Sequence, residues 1–146
     1  MSKREEAEAL FLDGANCAQA VLCAFCDETG LDRKTAMRIA SSFGGGMGRM
    51  REVCGAVSGM FMVAGILCGY DEDSPAPAKA EHYALIRAMA QAFSEQTGSI
   101  LCRDLLDKKA EVGGVPAERT PEYYQTRPCA RMVGLAAEIA EKFTRK

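Results

Sequence analysis

Apolar residues return every three or four positions along almost the whole chain, and no run of β-branched residues alternates with polar ones between turn signals. This pattern predicts an all-α fold. A first helix from about Lys3 to Leu12 ends at Asp13-Gly14. Asn16 then caps a second helix that carries Cys17, Val21, Leu22 and Phe25 and closes at Gly30. Asp32 caps a third, with Met37, Ile39 and Ala40 on its inner face, which runs into Phe43 and a loop from Gly44 to Arg49. A long fourth helix is expected from near Arg51, and Ser74 and Pro75 start a fifth that passes through Tyr83, Leu85, Ile86, Met89 and Phe93 to Gly98. Ser99 caps a short helix with Cys102, Leu105 and Leu106. The stretch from Ala110 to Arg119, with Gly113, Gly114 and Pro116, reads as the most exposed loop. Thr126 and Pro128 open a last helix whose stripe holds Cys129, Met132, Val133, Leu135, Ala136, Ile139 and Phe143.

At 146 residues, residues 1–146 make one domain, large enough to bury a core without disulfides. The expected architecture is a bundle of about six to seven helices around a central apolar helix rich in Gly and Ala. That central segment, Val53 to Tyr70, has eighteen residues and no charge, which raises the question of a membrane span. Its Gly, Ala and Cys content and the absence of flanking Trp or a polybasic anchor favour a helix buried inside a bundle. Gly55, Gly59, Gly65 and Gly69 form small-residue pairs that suit close helix contacts, and they also suit a homodimer interface.

With 18 basic and 20 acidic residues the formal charge is −2, so nothing draws the chain to nucleic acid or an anionic membrane. The opening MSKREEAEALFLDG turns acidic at once and has no apolar run typical of a secretory signal, so a cytoplasmic location is expected. Seven cysteines are far above ordinary usage, and in a reducing compartment they point to metal binding or thiol chemistry rather than a disulfide framework.

Helix position sorts the seven. The positive end of a helix dipole favours a thiolate, whereas an apolar helix interior disfavours it. Cys17, Cys54, Cys102 and Cys129 all fall in predicted first turns. Cys23 and Cys26 lie toward the end of the second helix and Cys68 in the last turn of the fourth, so packing is their default role. Cys23-Ala-Phe-Cys26 is formally a CxxC, but redox pairs of that kind open a helix, and Asp27 stands where haem attachment needs His.

Around the four selected positions the chain resembles the C_GCAxxG_C_C family of redox-active proteins. The resemblance is carried by Asn16-Cys17-Ala18-Gln19-Ala20-Val21, the glycine loop from Phe43 to Arg49, Cys54-Gly55-Ala56-Val57-Ser58-Gly59, Cys102-Arg103-Asp104 and Cys129. One local difference stands out: the label places Gly before its central cysteine and Ala after it, whereas here Val53 precedes Cys54 and Gly55 separates it from Ala56. The resemblance implies a redox role, and related domains occur with iron-sulfur clusters.

Two chemistries suit four such thiols. They can ligate an iron-sulfur cluster for electron transfer to a redox partner, or form reversible disulfides. In the first case Cys17, Cys54, Cys102 and Cys129 are metal ligands, and in the second they are catalytic thiols. Zinc ranks third because no two of them form a close knuckle pair. A non-catalytic interaction or transport-accessory role stands as the alternative. Cys54, beside two small residues, is expected to be the most reactive or most central thiol. The glycine loop follows a helix and lacks the Lys-Ser or Lys-Thr of a phosphate loop, so it is not read as a nucleotide site. Instead Gly45, Gly46 and Arg49, with Arg51, are expected to approach the cysteine centre and offset thiolate charge. His82 is the single histidine, which excludes a multi-histidine site within one chain, and it reads as a solvated residue.

Overall fold

The computed structural model describes residues 1–106 and 111–145, with the backbone alone at residues 125 and 126. Ser2 accepts a hydrogen bond from the Glu5 N–H and starts α1 (Lys3–Leu12). Asn16 Oδ1 accepts from Gln19 N, and the Gln19 side chain accepts from Asn16 N. This reciprocal capping box opens α2 (Cys17–Ala24). Phe25 breaks the helix, Cys26 begins the single turn α3 (Cys26–Thr29), and Gly30 closes it at φ +76°. Asp32 caps α4 (Arg33–Ala40), which tightens into a 3-10 turn over Ser41–Phe43. The apolar helix α5 (Gly55–Cys68) follows, then α6 (Pro77–Thr97), α7 (Cys102–Leu105), α8 (Pro121–Thr126) and α9 (Cys129–Thr144). The fold is all-α. Among the described residues there are nine helices and no strand, only an isolated antiparallel bridge between Val53 and Leu101.

Four helices make the core. α1 packs on α9, α2 packs on α5, and α9 packs on both α2 and α5. Phe11, Val21, Leu22, Phe25, Met60, Val57 and Val133 are fully or almost fully buried between them. Each such side chain contributes about 1.5–3 kcal/mol through burial. Glycine sets the α2–α5 spacing: a Cβ at Gly59 would stand 2.8 Å from the Ala18 carbonyl oxygen and 3.0 Å from Val21 Cβ. Backbone cannot yield there. Gly59→Val is therefore expected to destabilise the protein by about 2–3 kcal/mol, read as a lower urea midpoint at unchanged slope.

Several boundaries differ from those the sequence predicts. The central helix begins at Gly55 rather than near Arg51, because residues 51 to 54 are held in the bridge to the segment before α7. Only its first half is buried all round; Gly65 and Ile66 face outward where the bundle ends. α6 starts two residues beyond Pro75, with Pro77 in its first turn. Leu101, not Ser99, is the N-cap of α7, although Ser99 Oγ accepts from Leu101 N and donates to Asp104. Thr126 ends α8 instead of opening the last helix, which starts at Cys129. Thr120 and Pro121, a cap followed by N1 proline, mark α8. Ile39 is 47% exposed while Ala36 and Ala40 turn inward. His82 is half-buried with its ring against Tyr70. No helix among the described residues is long and apolar enough to cross a membrane.

Candidate functional site

The segment between α4 and α5 runs in the left-handed region. Gly45, Gly46 and Gly48 have φ of +67°, +72° and +59°, and so do three residues with side chains: Met47 (+67°), Arg49 (+64°) and Arg51 (+60°). A side-chain-bearing residue held there costs about 1–2 kcal/mol, and such strain concentrates at functional sites. The turn is closed by hydrogen bonds from Arg49 N to Gly44 O, Arg51 N to Gly45 O and Glu52 N to Gly46 O. It then enters the Val53–Leu101 bridge, where Cys102 N donates to Glu52 O at 2.6 Å and Cys54 N donates to Ile100 O at 2.7 Å. The bridge thus brings together two cysteines far apart in sequence. Gly46 lies so close that a Cβ on it would sit 2.6 Å from Cys102 Cβ.

Cys17, Cys54, Cys102 and Cys129 all line one cavity of about 350 Å3, together with Gly45, Gly46, Arg49 and Arg51. Each stands at a helix start: Cys17, Cys102 and Cys129 are the first residues of α2, α7 and α9, and Cys54 is the N-cap of α5. The other three cysteines lie elsewhere. Cys23 and Cys26 line a separate surface groove, and Cys68 is the last residue of α5.

The four thiols differ sharply in acidity. Cys129 is lowered to about 7. The largest cause is a hydrogen bond donated by the Cys17 thiol; the guanidinium groups of Arg127 and Arg119 and the Tyr123 hydroxyl add to it and outweigh desolvation. The same contact holds the proton on Cys17, whose pKa rises well above the usual thiol value. Cys54 is 6% exposed, and burial pushes it up to about 12, only partly offset by the N–H groups of Ala56 and Val57. Burial also raises Cys102, against the pull of Arg51, whose Nη1 lies 3.7 Å from Cys102 Sγ. Of the four, Cys129 is the thiol whose pKa is lowered, while Cys54 is the least exposed and is raised. Cys54 sits at a helix start but deeper in the apolar core, and desolvation wins over the helix dipole.

Arg119, Tyr123 and Arg127 were not legible as site residues. Arg119 donates to the carbonyls of Phe11 and Ala15 and lies 4.3 Å over the Phe11 ring, and Arg127 lies over Tyr123 at 4.9 Å. The available signal was Arg127-Pro128-Cys129, a cation two positions before a helix-opening thiol. The loop before α8 is exposed, as its sequence predicts, and it also takes part in the site. Gly113 N donates to Arg49 O, Arg51 Nε donates to Glu111 O, and Gly114, Pro116 and Ala117 line the cavity. Its first residue, Ala110, lies outside the described residues.

Among the described residues no three His, Cys, Asp or Glu side chains gather closely enough to hold a metal ion. Cys17 and Cys129 shift each other's pKa in opposite directions, and Cys54 and Cys102 are buried in the same cavity wall. Residues 15–143 match the family model described as "Putative redox-active protein (C_GCAxxG_C_C)". Neither the curated proteins nor the solved structures gave a match.

Proposed function

The chain belongs to the C_GCAxxG_C_C family, and on that premise we propose that it carries out reversible thiol-disulfide exchange with Cys129 as the attacking thiol and Cys17 as the resolving one. The observation that supports this reading is that Cys17 and Cys129 line one cavity with Arg119, Tyr123 and Arg127, and that Cys129 alone of the four thiols has its pKa lowered. A thiol with a pKa near ambient pH is the best placed to attack a disulfide, since it is ionised without losing much nucleophilicity. Cys129 Sγ attacks a substrate sulfur and displaces the other as a thiolate. Cys17 then attacks Cys129 Sγ, its proton leaves with the second thiolate, and a Cys17–Cys129 disulfide closes. Cys54 and Cys102 stay protonated and flank the pair.

Iron-sulfur ligation is the second reading, favoured by one observation, that all four cysteines line a single cavity. A cluster there would be held by Cys17, Cys54, Cys102 and Cys129 and would supply one-electron transfer. Zinc held by the same set would be structural.

Alkylation of the reduced protein with iodoacetamide, read by peptide mass spectrometry, tests the thiol reading. Cys129 is expected to label first among the four, with a rate that rises through pH about 7 and is flat above 8. In Cys17→Ala the midpoint moves up, because the donated hydrogen bond is the largest cause of the low value. Preferential labelling of Cys54, or a Cys129 rate still rising through pH 9, would overturn the assignment.

A further inference from the structure

Among the described residues the wall of the thiol cavity carries four arginines, Arg49, Arg51, Arg119 and Arg127, and no Asp, Glu, Lys or His. The protein as a whole is acidic, with a formal charge of −2, so this concentration of positive charge is local. Ion pairs neutralise Arg4, Arg103 and Arg145 elsewhere, but among the described residues none is formed by any of these four. Arg119 is committed to backbone carbonyls and aromatic rings. Arg51 is different. It is 3% exposed; Nε donates to Glu111 O and Nη1 reaches Cys102 Sγ, yet Nη2 is buried with no hydrogen-bond partner.

A buried guanidinium without a counter-charge is costly, and an unmatched N–H on it adds to the cost. Such a group persists where something else supplies the acceptor. Arg51 stands on Cys102 rather than on Cys129, and its second Nη is left for an acceptor that the described residues do not supply. The turn that delivers Arg49 and Arg51 holds both at positive φ, a strained backbone spent on placing these two side chains.

Resting on the thiol-exchange reading, we infer that the substrate is a small disulfide carrying acidic groups, whose negative charge is received by Arg49 and Arg51 while its sulfur meets Cys129. The balance is complete: Cys129 thiolate and Cys17 thiol, with one disulfide R–S–S–R, give the Cys17–Cys129 disulfide, one RS− and one RSH. Arg49 and Arg51 are positioning residues, acting on the acidic ends and not on the sulfurs.

The test uses the full reduced protein and three disulfides of similar length: dianionic 3,3′-dithiodipropionate, neutral 2-hydroxyethyl disulfide and dicationic cystamine. Stopped-flow oxidation is expected to run fastest with the dianion, about tenfold or more ahead of the neutral compound, with cystamine slowest, and high salt compresses the order. Arg51→Met is expected to collapse most of the preference for the dianion, read as the ratio of the dianion rate to the neutral rate. Arg49→Asn, a residue tolerant of positive φ, does the same should Arg51→Met fold poorly. Suberate, the dianion of equal length without sulfur, reports charge recognition alone and is expected to bind by calorimetry, about tenfold more weakly in either variant. Equal rates for the three disulfides with no suberate binding would overturn the substrate class and leave the exchange chemistry standing. Suberate binding with no oxidation by any disulfide would overturn the exchange reading and leave the anion site standing.

Discussion

Cys129→Ser is expected to slow the reaction of the reduced protein with a disulfide by about 10³-fold at pH 7. The magnitude takes Cys54 as the replacement attacker within the cavity. Cys129, lowered to about 7, is close to half ionised at that pH, whereas Cys54 at about 12 is ionised in roughly one molecule in 10⁵. A more basic thiolate is intrinsically more nucleophilic, which recovers roughly two of those five orders. Cys17 loses the neighbouring thiolate in the variant, but desolvation still holds its pKa up, so it does not take over the role. Stopped-flow oxidation, with loss of free thiol as the readout, checks this. A variant that keeps more than about a tenth of the wild-type rate would show that another cysteine attacks.

The second large effect concerns stability and the close approach at the glycine turn. Gly46→Ala is expected to cost about 3–5 kcal/mol, measured by urea unfolding, or to prevent folding. Its φ of +72° penalises any side chain, and a Cβ would stand 2.6 Å from Cys102 Cβ, 2.8 Å from Glu52 N and 2.9 Å from Arg51 Cα. The last two are backbone, and the bond from Cys102 N to Glu52 O fixes them. Gly48→Ala is the matched control. It has φ +59° and open space around the new methyl, so only the conformational cost of about 1–2 kcal/mol applies. Equal costs for the two would contradict the packing argument.

The helices were legible where local chemistry fixes them. The first helix, the Asn16 and Asp32 caps and the Gly30 and Gly98 stops follow from capping and left-handed closure, which short-range sequence encodes. The start of the central helix was not legible. Residues 51 to 53 prefer pairing with a segment nearly fifty positions away, and no local pattern reports on that. Helix position picked out the four cysteines that line the cavity, because a helix start is a local feature. It did not rank them. Acidity depends on which neighbours fold against each sulfur, and the neighbours of Cys129 come from the start of α2 and from the segment around α8. Arg119 was missed for the same reason: its partners, Phe11 and Ala15, are more than a hundred residues away. The glycine loop was placed correctly beside the cysteines, but its left-handed course at Met47, Arg49 and Arg51 contradicts local preference and comes from tertiary structure.

The pairing of Cys17 with Cys129 is the central claim, and disulfide mapping tests it most directly. Protein purified without oxygen is analysed for iron, sulfide and zinc, oxidised with one equivalent of a disulfide, blocked with an alkylating agent and digested for mass spectrometry. The account predicts metal-free protein in which the first linkage formed joins the Cys17 and Cys129 peptides, with Cys54 and Cys102 recovered as free thiols. Stoichiometric iron and sulfide, or a first linkage that includes Cys54, would contradict it.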